Sequence, residues 1–182
     1  MLANVNRTLL LVFCISILLI GIITGIIILV KSIISSKKGD SLKLKYTLIS
    51  ILCVIIAIVS WVLNMGWLRF IMTFLAVPII HTIAFMIINS FTLSYVDKSA
   101  KLKRYIILSY ITYLLGYILL PDGGDVGTMY VFFGLIHNNI VAGISYFLSS
   151  ISFIGNIVIL ILQIIERTKI KKTTIRNIKQ PF

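Results

Sequence analysis

Long stretches without a charged residue separate the charged segments of this chain, and this pattern restricts its fold more than any other feature. Charged residues make up only 12% of the sequence and hydrophobic residues 59%, above the ~45–50% of an ordinary soluble domain. A soluble fold of this size could not bury so much apolar surface. The charge-free runs are Thr8–Val30, Tyr46–Leu68, Phe70–Val96, Tyr105–Pro121 and Val126–Ile165. Each of the first four is long enough for one membrane-crossing helix of ~17–25 residues.

The fifth run, Val126–Ile165, is too long for a single crossing. As one helix its 40 residues would extend about 60 Å, twice the ~30 Å of the hydrocarbon core. We place one span at about 144–165. The preceding segment, Val126–Gly143, is too apolar for a free loop and too short for a span. It is therefore predicted to be a surface-lying helix or a re-entrant piece on the outer side.

The basic residues set the orientation. Lys31–Lys45 carries five lysines and one acidic residue, so the positive-inside rule puts it in the cytoplasm and the N-terminus outside. Following the chain from there puts Asp97–Arg104 and the basic tail 166–182 inside as well. This arrangement leaves 15 of the 17 basic residues on one side, with only Arg7 and Arg69 outside. A second crossing in the fifth run would export the basic tail, so we choose five spans.

The predicted fold is all-α. It is a single polytopic integral membrane helix bundle over residues 1–182, with about five transmembrane helices and one outer interfacial or re-entrant segment. Trp61 and Trp67 fall at the outer ends of two spans, as expected for an interfacial aromatic belt. The spans are predicted at about 8–30, 46–64, 70–95, 105–121 and 144–165, followed by the basic cytoplasmic tail 166–182.

The net charge of +12 is expected to act on lipid rather than on nucleic acid. The basic residues flank apolar runs, so anionic lipid at the cytoplasmic face is the predicted partner. The tail Arg167–Lys179 either lies along the inner leaflet, with each basic residue contributing ~1 kcal/mol, or serves only as an orientation signal. The abundance of isoleucine and of lysine over arginine favours an AT-rich bacterial genome. The predicted location is thus the bacterial cytoplasmic membrane, with the C-terminus inside.

One ionisable side chain stands out near the middle of a predicted span, that of His81. The residues at similar depth in other spans are Cys53, Tyr113, Ser152 and Asn156, and none is acidic, so a carboxylate–histidine proton relay is excluded. We expect a neutral imidazole that is hydrogen-bonded to a hydroxyl or amide of a neighbouring helix. A substrate or proton site, or a Cys53–His81 nucleophile–base pair, is the alternative.

The fifth predicted span carries one polar stripe on an otherwise apolar helix. At 100° per residue, its members project within ~60° of one another. The stripe indicates either tight helix packing with interhelical hydrogen bonds or a water-lined or ligand-lined path. The candidate binding residues are His81 and the stripe residues Ser145, Ser149, Ser152, Asn156 and Gln163.

Weaker patterns have simpler explanations in helix packing and turn formation. Gly21 and Gly25 form a GxxxG pair, and Pro78 is expected to kink the third span and to free a backbone carbonyl near His81. The Asp122–Asp125 turn is too small a set of ligands to predict a cation site. Three tyrosines on the fourth span are expected to form a packing seam: Tyr110, Tyr113 and Tyr117.

The sequence favours a protein without catalytic activity. It places no carboxylate within a predicted span, and it contains no recognised catalytic or nucleotide-binding motif and no pattern that predicts a metal or a cofactor. We expect an accessory or protective, immunity-like partner of other membrane components, which would include a membrane protein partner. The alternative is a small transporter or permease subunit whose path follows the stripe and His81.

Overall fold

The computed structural model describes residues 41–64, 66–123 and 128–179, together with nine helical positions between 23 and 34. Most of the described residues are helical, so the predicted helical fold is confirmed. The first predicted span, 8–30, lies mostly outside the described residues. The elements are α1 (Ser41–Leu63), α2 (Trp67–Phe74), α3 (Val77–Leu93), a 3₁₀ turn (Val96–Lys98), α4 (Ala100–Leu119), β1 (Tyr130–Val131), β2 (Ile136–His137) and α5 (Asn139–Lys179).

Two of the described helices are long and apolar enough to cross a membrane. They contribute the segments Leu42–Leu63 of α1 and Asn139–Ile175 of α5. The bent pair α2 and α3 would make a third span if both helices belong to one crossing. α4 carries three basic residues in its first turns, and its uncharged remainder is about 22 Å long, shorter than the hydrocarbon core.

The third predicted span, 70–95, is broken into two helices. α2 and α3 meet at an angle of 66°, and the break falls at Leu75 and Ala76. Ala76 adopts a left-handed conformation with φ 57°. Pro78 lies in the first turn of α3, where its missing N–H leaves no intrahelical hydrogen bond unmade. The bend expected from Pro78 is therefore present, but as a break that lies just before the proline.

A β-hairpin follows α4, so of the two structures predicted for Val126–Gly143, the surface-lying helix is wrong for the described residues before Asn139, and the re-entrant piece stays a prediction. β1 pairs antiparallel with β2. Asp122 and Tyr130 exchange two backbone hydrogen bonds of 3.1 and 2.9 Å, which fasten the hairpin to the end of α4. Strands of two residues are too short for period-two alternation to reveal them. The turn between the strands contains three consecutive left-handed residues: Phe132, Phe133 and Gly134.

α5 extends beyond the predicted span 144–165 at both ends. Its 41 residues give a length of about 60 Å. The side chain of Asn138 accepts hydrogen bonds from the backbone N–H groups of Ile140 and Val141, which fixes the start of the helix. No glycine or proline interrupts the second half of α5, so the described part of the basic tail continues the helix instead of forming a separate segment.

Interhelical hydrogen bonds fix the relative directions of the four long helices. Near the end of α4, the carbonyl of Tyr117 accepts from Ser60 near the end of α1, and the Tyr117 hydroxyl donates to the carbonyl of Pro78 at the start of α3. Near the start of α4, the carbonyl of Tyr105 accepts from Gln163 in the second half of α5. α1 and α4 therefore run one way and α3 and α5 the other, as successive crossings of a membrane require.

The bundle is apolar on its outside as well as in its core. Inside, the rings of Phe85 and Tyr113 stack at 4.0 Å, and both side chains are almost fully buried. Outside, Ile80 is 62% exposed, and Phe147 and Ile154 are each 65% exposed. Water would disfavour so large an exposed apolar surface.

Candidate functional site

The polar stripe of α5 faces the interior of the bundle. Ser149, Asn156 and Gln163 are fully buried, and Ser145 and Ser152 are nearly so. The hydrogen-bond partners of Ser149, Asn156 and Gln163 lie on α3 and α4, opposite the exposed apolar face of α5, whereas Ser145 and Ser152 are buried without joining these bonds. We call the resulting set of hydrogen-bonded side chains the polar network; it contains His81, Thr82, Asn89, Thr92, Ser109, Thr112, Tyr113, Tyr117, Ser149, Asn156 and Gln163.

His81 joins α3 to both neighbouring helices. Its Nε2 lies 3.0 Å from Oδ1 of Asn156, and its Nδ1 lies 3.2 Å from the hydroxyl of Tyr117. The amide nitrogen of Asn156 donates to the carbonyl of Ser109 at 2.7 Å and to the hydroxyl of Thr112 at 2.9 Å. The oxygen of Asn156 must therefore accept, which assigns the proton of a neutral His81 ring to Nε2.

The hydroxyl of Tyr117 has one proton and two acceptors. Nδ1 of His81 lies at 3.2 Å and the carbonyl oxygen of Pro78 at 3.1 Å. When the hydroxyl donates to Pro78, the lone pair of His81 Nδ1 receives no proton from Tyr117. The imidazole is enclosed by rings, stacked on Tyr117 at 5.8 Å and near Phe153 at 5.4 Å. Nδ1 is thus the nitrogen of His81 that could accept a proton, or a hydrogen bond from a ligand.

Gln163 connects the same three helices further along the bundle. Its side-chain oxygen accepts from the hydroxyl of Thr92 at 3.1 Å, and its nitrogen donates to the carbonyl of Tyr105 at 3.2 Å and to Oδ1 of Asn89 at 3.4 Å. The same oxygen of Asn89 accepts from the Ser109 hydroxyl at 3.1 Å. These amides and hydroxyls satisfy one another, so the interior contains few unpaired polar groups at this level.

Small residues bring α4 and α5 close together. The hydroxyl of Ser149 donates to the carbonyl of Gly116 at 2.8 Å. A Cβ at Gly116 would lie 3.4 Å from the ring of Phe153, so the contact leaves little room for a larger residue. Close approach through small residues with hydrogen bonds between helices is typical of packed membrane helices.

Within the described part of the chain, the structure brings together neither the Cys53–His81 pair nor a group of metal ligands. Nδ1 of His81 is hydrogen-bonded to Tyr117 and Nε2 to Asn156, and Cys53, which is buried on α1, is not a partner of either nitrogen. Among the described residues, no group of three or more histidine, cysteine, aspartate or glutamate side chains could hold a metal ion. Asp125 of the predicted turn lies outside the described residues.

Arg69 has a role that the sequence analysis missed. It is fully buried, and its guanidinium donates to the carbonyl of Ser60 at 2.5 Å, to that of Tyr117 at 3.1 Å and to that of Leu120 at 2.5 Å. It also lies 5.1 Å from the ring of Trp61. These carbonyls belong to the C-terminal ends of α1 and α4, which carry partial negative charge. Arg69 therefore links the C-terminal ends of α1 and α4 by hydrogen bonds.

Asp122 has the complementary role at the start of α2. Its carboxylate accepts from the backbone N–H groups of Gly66 at 3.0 Å, Leu68 at 3.1 Å and Arg69 at 2.7 Å. A Cβ at Gly66 would lie 2.5 Å from the carboxylate, so this approach needs a glycine. The acidic side chain thus caps the positive end of α2. The only sequence signal for this pairing was that Arg69 and the Asp122–Asp125 turn fall on the same predicted side of the membrane.

A fully buried amide lies beside this cluster. The side-chain nitrogen and oxygen of Asn64 have no hydrogen-bond partner among the described residues. We call the region of Trp61, Asn64, Arg69 and Asp122 the Arg69 end, and the opposite region of Tyr95, Lys98, Ser99, Glu166 and Arg167 the Glu166 end.

The chain matches no protein-family model, no curated protein and no solved structure. Its function is therefore inferred from its residues and their geometry.

Proposed function

We propose that this chain is a non-enzymatic, multi-pass protein of the bacterial cytoplasmic membrane, with about five transmembrane helices. It acts as an accessory or protective, immunity-like partner of other membrane components. The observation that carries the proposal is the inverted distribution of polarity: hydrogen-bonded polar side chains inside the bundle, and exposed isoleucine, leucine and phenylalanine outside.

α4 lies at the centre of the bundle. This position supports a membrane crossing by α4, although the composition of α4 alone does not predict one. Ile106, Tyr113 and Tyr117 of α4 are buried by the helices around it. A helix surrounded by protein needs less apolar surface than one that faces lipid, so tyrosines and a short uncharged part are tolerated there. With α1, the pair α2–α3, and α5, this gives four crossings, and the predicted span 8–30 supplies the fifth.

The distribution of basic residues supports the orientation. In the proposed topology the Glu166 end lies on the cytoplasmic side, where Lys98, Lys101, Lys103 and Arg104 precede or open α4. The Arg69 end, with the hairpin, lies on the outer side. There the single basic residue of that end, among those described, is buried and bound to backbone carbonyls.

The polar network supports a packing role for the stripe and His81. Each of Asn156 and Gln163 bonds to side chains or carbonyls of two other helices. Interhelical hydrogen bonds of this kind are worth ~0.6–2 kcal/mol each in a membrane. No carboxylate of the described residues takes part in the network. Because the network serves packing in this proposal, a partner would contact the outer surfaces of the protein.

Among the described residues, the hairpin and the first turn of α5 offer the most exposed apolar side chains of those surfaces. Leu135 is 78% exposed and Ile140 is 76% exposed. We expect the full chain, purified in mild detergent, to retain a stoichiometric membrane protein. The double variant Leu135→Asn/Ile140→Asn should release it, whereas the control Ile175→Asn at the other end of α5 should not. A bound small molecule in place of a protein would instead favour the transporter alternative.

One observation favours that alternative. The hydroxyl of Tyr117 can turn from His81 to Pro78, and this frees Nδ1 of His81 within the network. A site that can switch hydrogen-bond partners without moving a helix is suited to passing on a proton. The His81 variants described in the Discussion separate the two functions.

A further inference from the structure

Two cationic side chains from different elements lie against one aromatic ring at the Glu166 end. The guanidinium carbon of Arg167 on α5 lies 5.5 Å from the ring centroid of Tyr95, and the ammonium nitrogen of Lys98 lies 5.5 Å from the same centroid. Arg167 is also 5.6 Å from the ring of Phe91. The two positive charges are therefore held within about 11 Å of each other.

Arg167 has unused capacity to donate hydrogen bonds. Its guanidinium makes no hydrogen bond among the described residues; the Nε is buried, so the two terminal nitrogens of this partly exposed side chain are the donors for an external phosphate. A guanidinium offers five N–H donors in a planar fork, which matches the oxygens of a phosphate group. The neighbouring carboxylate of Glu166 accepts from the hydroxyl of Ser99 at 3.1 Å, and that same hydroxyl oxygen caps α4 by accepting from the N–H of Leu102. Glu166 thus serves the end of α4.

Positive charge exceeds negative charge around Tyr95. Basic side chains of the 3₁₀ turn, of α4 and of α5 meet at this end, and such a cluster beside apolar helices is suited to an anionic headgroup. In the segments 96–104 and 166–167, the acidic side chains are Asp97 and Glu166, and the basic ones are Lys98, Lys101, Lys103, Arg104 and Arg167.

We propose that Lys98 and Arg167, held on the ring of Tyr95, bind a phosphate group. In the membrane its source is the headgroup of an anionic phospholipid, although free inorganic phosphate shares the same chemistry. The inference rests on the proposed function, because that function puts the Glu166 end at the cytoplasmic leaflet. It adds a defined site to the expected general attraction for anionic lipid.

The test is a titration of the purified full chain in mild detergent with phosphatidylglycerol or phosphatidylcholine, followed by the shift in thermal unfolding. Both headgroups contain a phosphate, but that of phosphatidylcholine is balanced by its choline cation, so we expect phosphatidylglycerol to stabilise the wild type more than phosphatidylcholine does. The apparent affinity for phosphatidylglycerol should fall about 100-fold in Lys98→Gln/Arg167→Gln, since each direct hydrogen bond between a basic group and the phosphate contributes about tenfold. The control Lys169→Gln/Lys171→Gln removes the same charge from exposed positions of α5 and should keep the wild-type affinity.

Two further variants keep the test decisive if the double variant does not fold. Lys98→Gln alone should lose about tenfold in affinity, because one direct contact to the phosphate is removed. Arg167→Lys keeps the charge but removes the planar donors, so it should bind more weakly than the wild type. Equal losses in the control pair and in the Lys98/Arg167 pair would overturn the proposal, as would a wild type that does not distinguish the two lipids.

Competition with inorganic phosphate identifies the source of the ligand. If millimolar phosphate displaces phosphatidylglycerol, the site takes free phosphate as well; if it does not, the site is specific to the lipid. Both results support the phosphate chemistry. If the wild type shows no lipid preference but thiol labelling still puts the Glu166 end inside, the phosphate site is contradicted and the proposed function is not. Labelling of that end from outside would contradict the proposed function first.

Discussion

The Arg69 end and the Glu166 end of the bundle hold their charges in different ways. At the Arg69 end, the guanidinium is fully buried and bound to three carbonyls, and the carboxylate of Asp122 is bound to three N–H groups of α2. At the Glu166 end, Lys98 is exposed and shares the ring of Tyr95 with Arg167. At the Arg69 end, the charged groups are bound by other groups of the protein. At the Glu166 end, the basic groups are available to bind an external anion.

The largest effect is expected from Arg69→Gln. The change removes a cation from a buried site and leaves carbonyls of two helix ends without their donor, so it should lower the free energy of unfolding by about 3–5 kcal/mol. Denaturant titration of the purified protein in detergent measures it. The control Arg104→Gln removes an exposed base at the Glu166 end and should cost under about 0.5 kcal/mol. Similar costs for both variants would show that the two ends do not differ.

A smaller loss is expected from Asp122→Ala. It removes the cap of α2 while the helix itself remains, so the cost should be about 1–2 kcal/mol. Asp122→Asn keeps an acceptor and should retain part of that stability. The matched control is Asp97→Asn, which changes an exposed acid at the other end. A wild-type melting temperature for Asp122→Ala would contradict the capping role.

The hydrogen bonds of His81 predict a modest effect on stability. If its role is packing, His81→Asn and His81→Gln should keep much of the fold, because an amide can still donate and accept, and His81→Leu should cost ~0.6–2 kcal/mol. If its role is transport, all three variants should fold and lose function, because none takes up a proton near neutral pH. Melting temperature measured beside a cellular phenotype decides between the two roles.

The smallest effect is expected from Asn64→Leu. Its buried amide has no partner among the described residues, so replacing it with an apolar side chain of similar volume should be neutral or stabilising. Thermal unfolding of the variant beside Arg69→Gln compares two polar side chains of the same end. A loss above about 2 kcal/mol would show that Asn64 is bound in the folded protein.

The parts of the structure with helical periodicity were predictable from sequence. Residues at positions such as 145, 149, 152 and 156 share one face of any α-helix, so the burial of the stripe follows from spacing alone. A neutral histidine in an apolar span needs polar partners, and the structure supplies a hydroxyl from Tyr117 and an amide from Asn156. Which residues would supply them depends on helix packing, which periodicity does not specify.

Other features depend on contacts between distant residues and left no local pattern. The role of Arg69 arises from carbonyls at the ends of two other helices, and the cap of α2 comes from Asp122, far along the chain. The β-hairpin has strands of two residues held partly by the backbone of Asp122. The break at Ala76 was only partly predictable, because Pro78 indicates a bend but not the left-handed residue before it.

The central claim is that the two ends lie on opposite sides of the cytoplasmic membrane, and thiol accessibility tests it most directly. In a chain without Cys14 and Cys53, single cysteines would replace Thr128, beside the hairpin, or Thr173, near the end of α5; both positions are exposed. In intact cells, an impermeant thiol reagent should label Thr128→Cys and should label Thr173→Cys only after the membrane is opened. Labelling of Thr173→Cys in intact cells, with or without labelling of Thr128→Cys, would contradict the five-span account.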